Sequence, residues 1–203
     1  TATPLHFIAF SGGAMAIEAW LMEDNDEDPR LPHHRNPKQF VLPEHLEDLG
    51  VLYWKFNPKD YENDVELKKI RESRGYNYMD FLDLCPERME DYEEKRRRFY
   101  TEHIHGDEEI RYCVEGSGYF DVRDKEDSWI RVWVKAGDLI ILPAGMYHRF
   151  TLDTNDNVLL MRLFKGKPEW TAYNRPQEDH PARKAYITTH MDHDAVPASV
   201  VAH

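Results

Sequence analysis

The chain has 203 residues, 41% of them apolar and 12% aromatic, which suits one domain with a core of ordinary size and excludes global disorder. Lys and Arg number 26 against 38 Asp and Glu, a formal charge of −12, too acidic for a nucleic-acid coat or an anionic-membrane binder, which must neutralise phosphate. No apolar run approaches the roughly 20 residues a bilayer demands, and the two cysteines, Cys85 and Cys113, make no disulfide framework, so a reducing, intracellular setting is expected.

Residues 1–14 carry no charged side chain, and LHFIAF is too short and lacks the basic flank of a secretory signal. Met15, followed by AIEAW, reads as the natural start, with 1–14 a leader or a cloning remnant. Ile17–Met22 fits a strand and Glu23–Asp28 a loop before Pro29. A short helix is expected over Pro43–Leu49, stopped by Gly50, then a strand over Val51–Phe56. Val65, Leu67 and Ile70 among charges predict a surface helix over Asn63–Arg74, ended by Gly75. Tyr78–Leu84 reads as a second short helix before Pro86, and Met89–Tyr100 as a third, whose Lys95–Arg98 run is a solvated face.

Beyond Thr101 the composition turns to Val, Ile, Tyr, Phe and Trp in short runs: Tyr112–Val114, Gly118–Val122, Ile130–Val134, Leu139–Leu142, Tyr147–Leu152 and Val158–Phe164. Turn residues separate them, including Gly116-Ser-Gly118 and Pro143-Ala-Gly145. Close, even spacing of this kind predicts a mainly β sandwich or barrel. One domain over 15–187 is expected, a helical part at 43–102 leading into a barrel core at 103–165. Residues 188–203 show no amphipathic period and are expected to form a flexible tail, with His190, His193 and His203 solvated.

The chemistry concentrates in His103-Ile-His105-Gly-Asp-Glu-Glu109. Alternation along a strand turns His103 and His105 the same way, and a continuing strand would give Glu109, Arg111 and Cys113 that parity too. His148, just after a Pro-Gly turn, adds a third imidazole. Three imidazoles and a carboxylate suit a divalent transition metal and leave room on an octahedral ion. Taken singly, an H-x-H pair or a histidine after a turn is more often incidental; the combination carries the signal.

The spacing H-x-H-x3-E-x6-G, from His103 to Gly116, followed by G-x5-P-x-G-x2-H, from Gly137 to His148, resembles the paired signature of the cupin superfamily. That resemblance implies a jelly-roll type β-barrel preceded here by a helical N-terminal subdomain. Two positions depart from the signature: Arg97 stands where a glycine often opens the first block, and Leu152 where an asparagine often closes the second. EEIRYCVEGSGYFDVRD, LPAGMYHRFTLD and WTAYNRP, with GVLYWKF and YENDVELKKIRESRGY, resemble the acireductone dioxygenase family of methionine salvage, its eukaryotic branch above all, from about Met15 to Ile187.

The family resemblance implies that His103, His105, Glu109 and His148 bind one Fe2+ or Ni2+ per chain. It implies cleavage of 1,2-dihydroxy-5-(methylthio)pent-1-en-3-one by dioxygen, to formate and 4-methylthio-2-oxobutanoate with iron, or to 3-(methylthio)propanoate, formate and carbon monoxide with nickel. Arg111 and Glu109 are the candidate catalytic residues. Arg111 is placed to hydrogen-bond the enediolate, or else to pair with an acidic neighbour. Phe99 and Phe150 are candidates for an apolar wall around the methylthio tail, or for plain core packing. Glu108, on the opposite parity, is expected beside the ligands or exposed, and Cys113 as a buried, inert thiol. The remaining expectations are a monomer, possible protein partners, no nucleic acid or membrane insertion, and a cytoplasmic location with a nuclear pool. Two rival readings share the residues: another cupin oxidase or isomerase, and a non-enzymatic partner-binding protein with a structural metal.

Overall fold

Alternating β-branched and aromatic residues make this chain a stack of antiparallel strands, and the computed structural model describes residues 17–168 and 171–192. The segment 1–14 and residues 193–203 of the expected tail lie outside the described residues. In chain order the elements are β1 (Glu18–Leu21), α1 (Pro43–Asp48), β2 (Leu52–Lys55), α2 (Val65–Arg74), β3 (Tyr78–Leu84) and α3 (Tyr92–Tyr100). There follow β4 (His103–Ile104), β5 (Glu109–Arg123), β6 (Trp129–Lys135), β7 (Asp138–Leu142), β8 (His148–Leu152), β9 (Val158–Phe164), β10 (Tyr173–Asn174) and α4 (Pro181–Tyr186), with a π-helical turn over Ile187–Met191.

All strand pairings are antiparallel. One layer runs β1-β6-β5-β8-β4-β10 and the other β2-β7-β5-β9-β3. Strand β5 belongs to both: Glu109–Gly116 pairs with β7 and β9, and Ser117–Arg123 with β6 and β8. It crosses over at a bulge between Cys113 and Glu115, followed by Gly116 at φ +73°, where a Cβ would come within 1.9 Å of the Asn157 carbonyl oxygen. The two strands expected over Tyr112–Val114 and Gly118–Val122 are therefore one 15-residue strand, and Gly116-Ser-Gly118 is a bend within it.

The side chains of β5 are divided among three apolar clusters, with Tyr119 joining Trp20, Met22 and Trp129 in one of them. Cys113, Phe120 and Val122 enter the barrel interior with Ile140, Phe150 and Leu160. Ile110 and Tyr112 face outward against Leu67 of α2 and Tyr76. Helix α2 is delimited as its sequence requires, by Asp64 accepting from the Glu66 and Leu67 amides and by left-handed Gly75. At the β1–β6 end of the barrel Asp121, fully buried, accepts from Arg131 at 2.7 and 2.8 Å and from Arg149 at 2.9 Å, so its charge is compensated inside the fold.

Two expectations are corrected. Tyr78–Leu84 is a strand, paired residue for residue with β9, and its Asp80 holds Arg162 of that partner at 2.7 and 2.9 Å. The front half thus contributes β3 to the sheets in addition to the expected β1 and β2, alongside its helices. The tail does not begin at 188: the π-helical turn continues α4, Tyr186 donates its hydroxyl to the Leu49 carbonyl at 3.0 Å, and the His190 ring packs on Tyr186 at 5.2 Å.

Candidate metal centre

Strand β4 is only two residues long, and the chain leaves the sheet between His105 and Glu108 before re-entering at Glu109. The strand does not continue from His103 to Arg111, yet the two ends converge. His103 is the Cα partner of His148 across the β4–β8 pair. The loop brings His105 alongside, so that ligand atoms of His103, His105 and His148 lie within 4.8 Å of one another.

Backbone carbonyls fix the orientation of all three rings. His103 Nδ1 meets the Thr101 oxygen at 2.6 Å, His105 Nδ1 the Thr171 oxygen at 2.9 Å, and His148 Nδ1 the Met146 oxygen at 2.9 Å. A carbonyl oxygen only accepts, so each Nδ1 carries the proton and each Nε2 presents a lone pair. This carbonyl support from outside is how metal-binding histidines are held.

Glu109 closes the group: its Oε2 lies 3.0 Å from His105 Nε2 and 3.6 Å from His148 Nε2. With Nδ1 protonated, that pairs lone-pair acceptors on both sides, an arrangement a shared cation satisfies. Two donors each about 2.1 Å from one ion and at right angles to each other sit about 3 Å apart. His148 Nε2 is buried without a hydrogen-bond partner. The residues present therefore fit a divalent ion, and the nitrogen-rich donor set suits first-row transition metals.

The electrostatics of the protein groups alone differ from ring to ring. Burial, reinforced by His148 nearby, pushes His103 down to about 3, keeping it neutral. Burial also opposes charge on His105, but the Glu109 carboxylate outweighs it and raises that histidine. Glu109 is held well below the usual carboxylate range although burial opposes this, because Arg111 and the two imidazoles favour its anion. Burial lowers Arg111, with Glu109 acting in the opposite sense. Arg111 forms an ion pair with Glu109 Oε2 at 3.0 Å and donates to the Ile110 carbonyl at 3.0 Å, and its guanidinium lies 5.7 Å from the Phe164 ring centre.

These groups line a cavity of about 540 Å³. Phe99 and Phe150 form part of its wall, edge to face at 6.5 Å, and Phe150 also packs on Phe120 at 4.8 Å. Phe150 thus belongs to both the cavity and the core. Glu108 points aside into contacts with Arg74 and Tyr76, each at 2.8 Å, and Lys165 at 3.2 Å. Burial pushes the Cys113 thiol up to about 12, so it is protonated and inert at neutral pH.

Sequence reasoning missed the supporting shell. The carbonyls of Thr101, Met146 and Thr171 carry no sequence identity, and Arg162, which also lines the cavity, sits opposite Arg111 in register without any motif to mark it.

Residues 18–172 match the model of the ARD/ARD' family. Acireductone dioxygenase 1 of Vitis vinifera is 77% identical over 184 residues, covering 90% of this chain and 98% of the relative. Acireductone dioxygenase 4 of Arabidopsis thaliana is 69% identical over 173 residues, covering 85% and 92% respectively. Among solved structures, the acireductone dioxygenase from Bacillus anthracis with cadmium ion in its active center is similar with a TM-score of 0.61 at 24% identity, over 78% of this chain and 99% of that one. At that identity the likeness is one of fold.

Proposed function

Because the chain belongs to the acireductone dioxygenase family, with a cupin barrel, we propose that it is the oxidoreductase that cleaves 1,2-dihydroxy-5-(methylthio)pent-1-en-3-one with dioxygen in methionine salvage. The observation that carries this is the convergence of three imidazole lone pairs and a buried carboxylate in a cavity with an apolar wall and an inward cation. His103, His105, Glu109 and His148 would hold Fe2+ or Ni2+, one per chain. When bound, the ion supplies Lewis acidity and a template for a chelating enediol.

The protein's own groups supply the rest. Glu109, kept anionic, contributes the one negative ligand. Arg111 steadies Glu109 and can hydrogen-bond the anionic oxygens of the substrate from the same cavity. Phe99 and Phe150 face the methylthio tail and exclude water from that side of the cavity. A monomeric state and a cytoplasmic location with a nuclear pool complete the reading.

The test is reconstitution of the metal-stripped protein with Fe2+ or Ni2+, followed by product identification. Iron is expected to give formate and 4-methylthio-2-oxobutanoate, and nickel to give formate, carbon monoxide and 3-(methylthio)propanoate. A protein that binds either metal tightly yet consumes no dioxygen with this substrate is not this enzyme.

A further inference from the structure

The turn that delivers His148, Pro143–Tyr147, is gripped from outside by chain that lies beyond the residues matched to the family model, which end at 172. Gly145 of that turn sits so close to α4 that a Cβ would come 2.2 Å from the Ala182 carbonyl oxygen. Arg183, 7% exposed, donates to the Gly145 carbonyl at 3.3 Å and to Glu178 at 3.2 Å. Glu178 in turn accepts from the Tyr147 hydroxyl at 2.8 Å, and that hydroxyl accepts from the Gln177 amide at 2.6 Å. The guanidinium of Arg183 lies 4.3 Å from the Tyr147 ring centre and that of Arg175 4.7 Å.

The grip reaches the other two histidines as well. The Gly145 amide donates to the His105 carbonyl at 3.0 Å. Strand β10 pairs with β4, setting Asn174 against His103, and the Arg175 amide donates to the Glu102 carbonyl at 3.1 Å. Glu102 is also bound by the Arg175 side chain at 2.8 Å. One C-terminal segment thus sets the backbone on both sides of the three imidazoles.

We infer that residues 173–186 act as a clamp on the metal-binding turn, with Arg183 and Tyr147 as positioning residues that fix the place of His148. Neither touches the cavity contents; they act through the Gly145 carbonyl and the backbone that leads into His148. The clamp holds the imidazoles in place before an ion arrives, and its loss loosens the ligand set rather than removing a ligand. This rests on the metal reading of the three histidines, and the experiment separates the two.

Co(II) is titrated into full-length, metal-stripped protein by chelator competition, with the Co(II) visible absorption recorded on the loaded protein. Arg183→Leu is expected to raise the dissociation constant about tenfold or more and to shift the absorption band. Tyr147→Phe, which keeps the ring and loses only the hydroxyl, is expected to raise it severalfold. Tyr53→Phe, which removes a bond to Asp138 away from the clamp, should leave affinity within twofold and the band unmoved. The clamp is overturned if Arg183→Leu and Tyr147→Phe bind Co(II) within twofold of wild type with an unchanged band, or if Tyr53→Phe weakens binding equally. Should Arg183→Leu fail to fold, Tyr147→Phe decides the matter. Wild-type protein that takes up no Co(II) would sink the metal reading itself, and the clamp with it.

Discussion

His148 and Arg111 make opposite predictions although both face the same cavity. His148 supplies a buried ring nitrogen for which the protein provides no partner, so His148→Ala should empty the site. Metal content after dialysis should fall below about a tenth of wild type, and dioxygen consumption by at least about a hundredfold. Arg111 is not part of the nitrogen cluster but pairs with Glu109 at 3.0 Å. Arg111→Ala should therefore keep near-normal metal while kcat/KM drops on the order of a hundredfold. Arg111→Lys should not recover it, since an ammonium cannot reproduce the forked contact to Glu109 and the Ile110 carbonyl together. Metal loss in Arg111→Ala would instead make support of Glu109, rather than contact with the substrate, its main role.

Among the elements, β5 depends most on a single backbone position. Gly116 combines a left-handed φ with an approach to Asn157 that leaves no room for a side chain, so Gly116→Ala must shift the strand crossing. A destabilisation of at least about 2 kcal/mol is expected, read as a lowered midpoint in thermal or urea unfolding. The sequence could not show this role, because Gly-Ser-Gly reads equally as a hairpin turn and as a bend. Strands β6 to β9 were legible because each is a short run rich in β-branched, aromatic or aliphatic residues between turn residues. Tyr78–Leu84 was not: Tyr78, Phe81 and Leu82 also fit helical spacing, and pairing with β9 along all of its length decided the outcome. Two-residue β10 and six-residue α4 are too short to leave a period. In the candidate site the imidazoles and the carboxylate showed themselves by spacing, whereas Arg183 and Glu178 lie more than 25 residues from the turn they hold and follow no motif.

At the scale of the whole molecule, a bound ion should stabilise the fold, since its ligands come from β4, β5 and β8 and the loop between the first two. An ion binding only the native state at about a hundredfold excess over its dissociation constant adds about 2.7 kcal/mol. For a chain of this size that corresponds to a rise in Tm of roughly 5–10 °C over the chelated protein, measurable by calorimetry. An unchanged Tm on metal addition would mean that the imidazoles do not share an ion. Strand β5 also bears on how a guest gets in. Because one strand is stitched into both layers, the layers cannot hinge apart like a clamshell without tearing it. Passage in and out is left to the exposed part of the cavity lining, which includes Gly106, Asp107 and Lys165, and admission can be tuned at such positions while the barrel wall stays still.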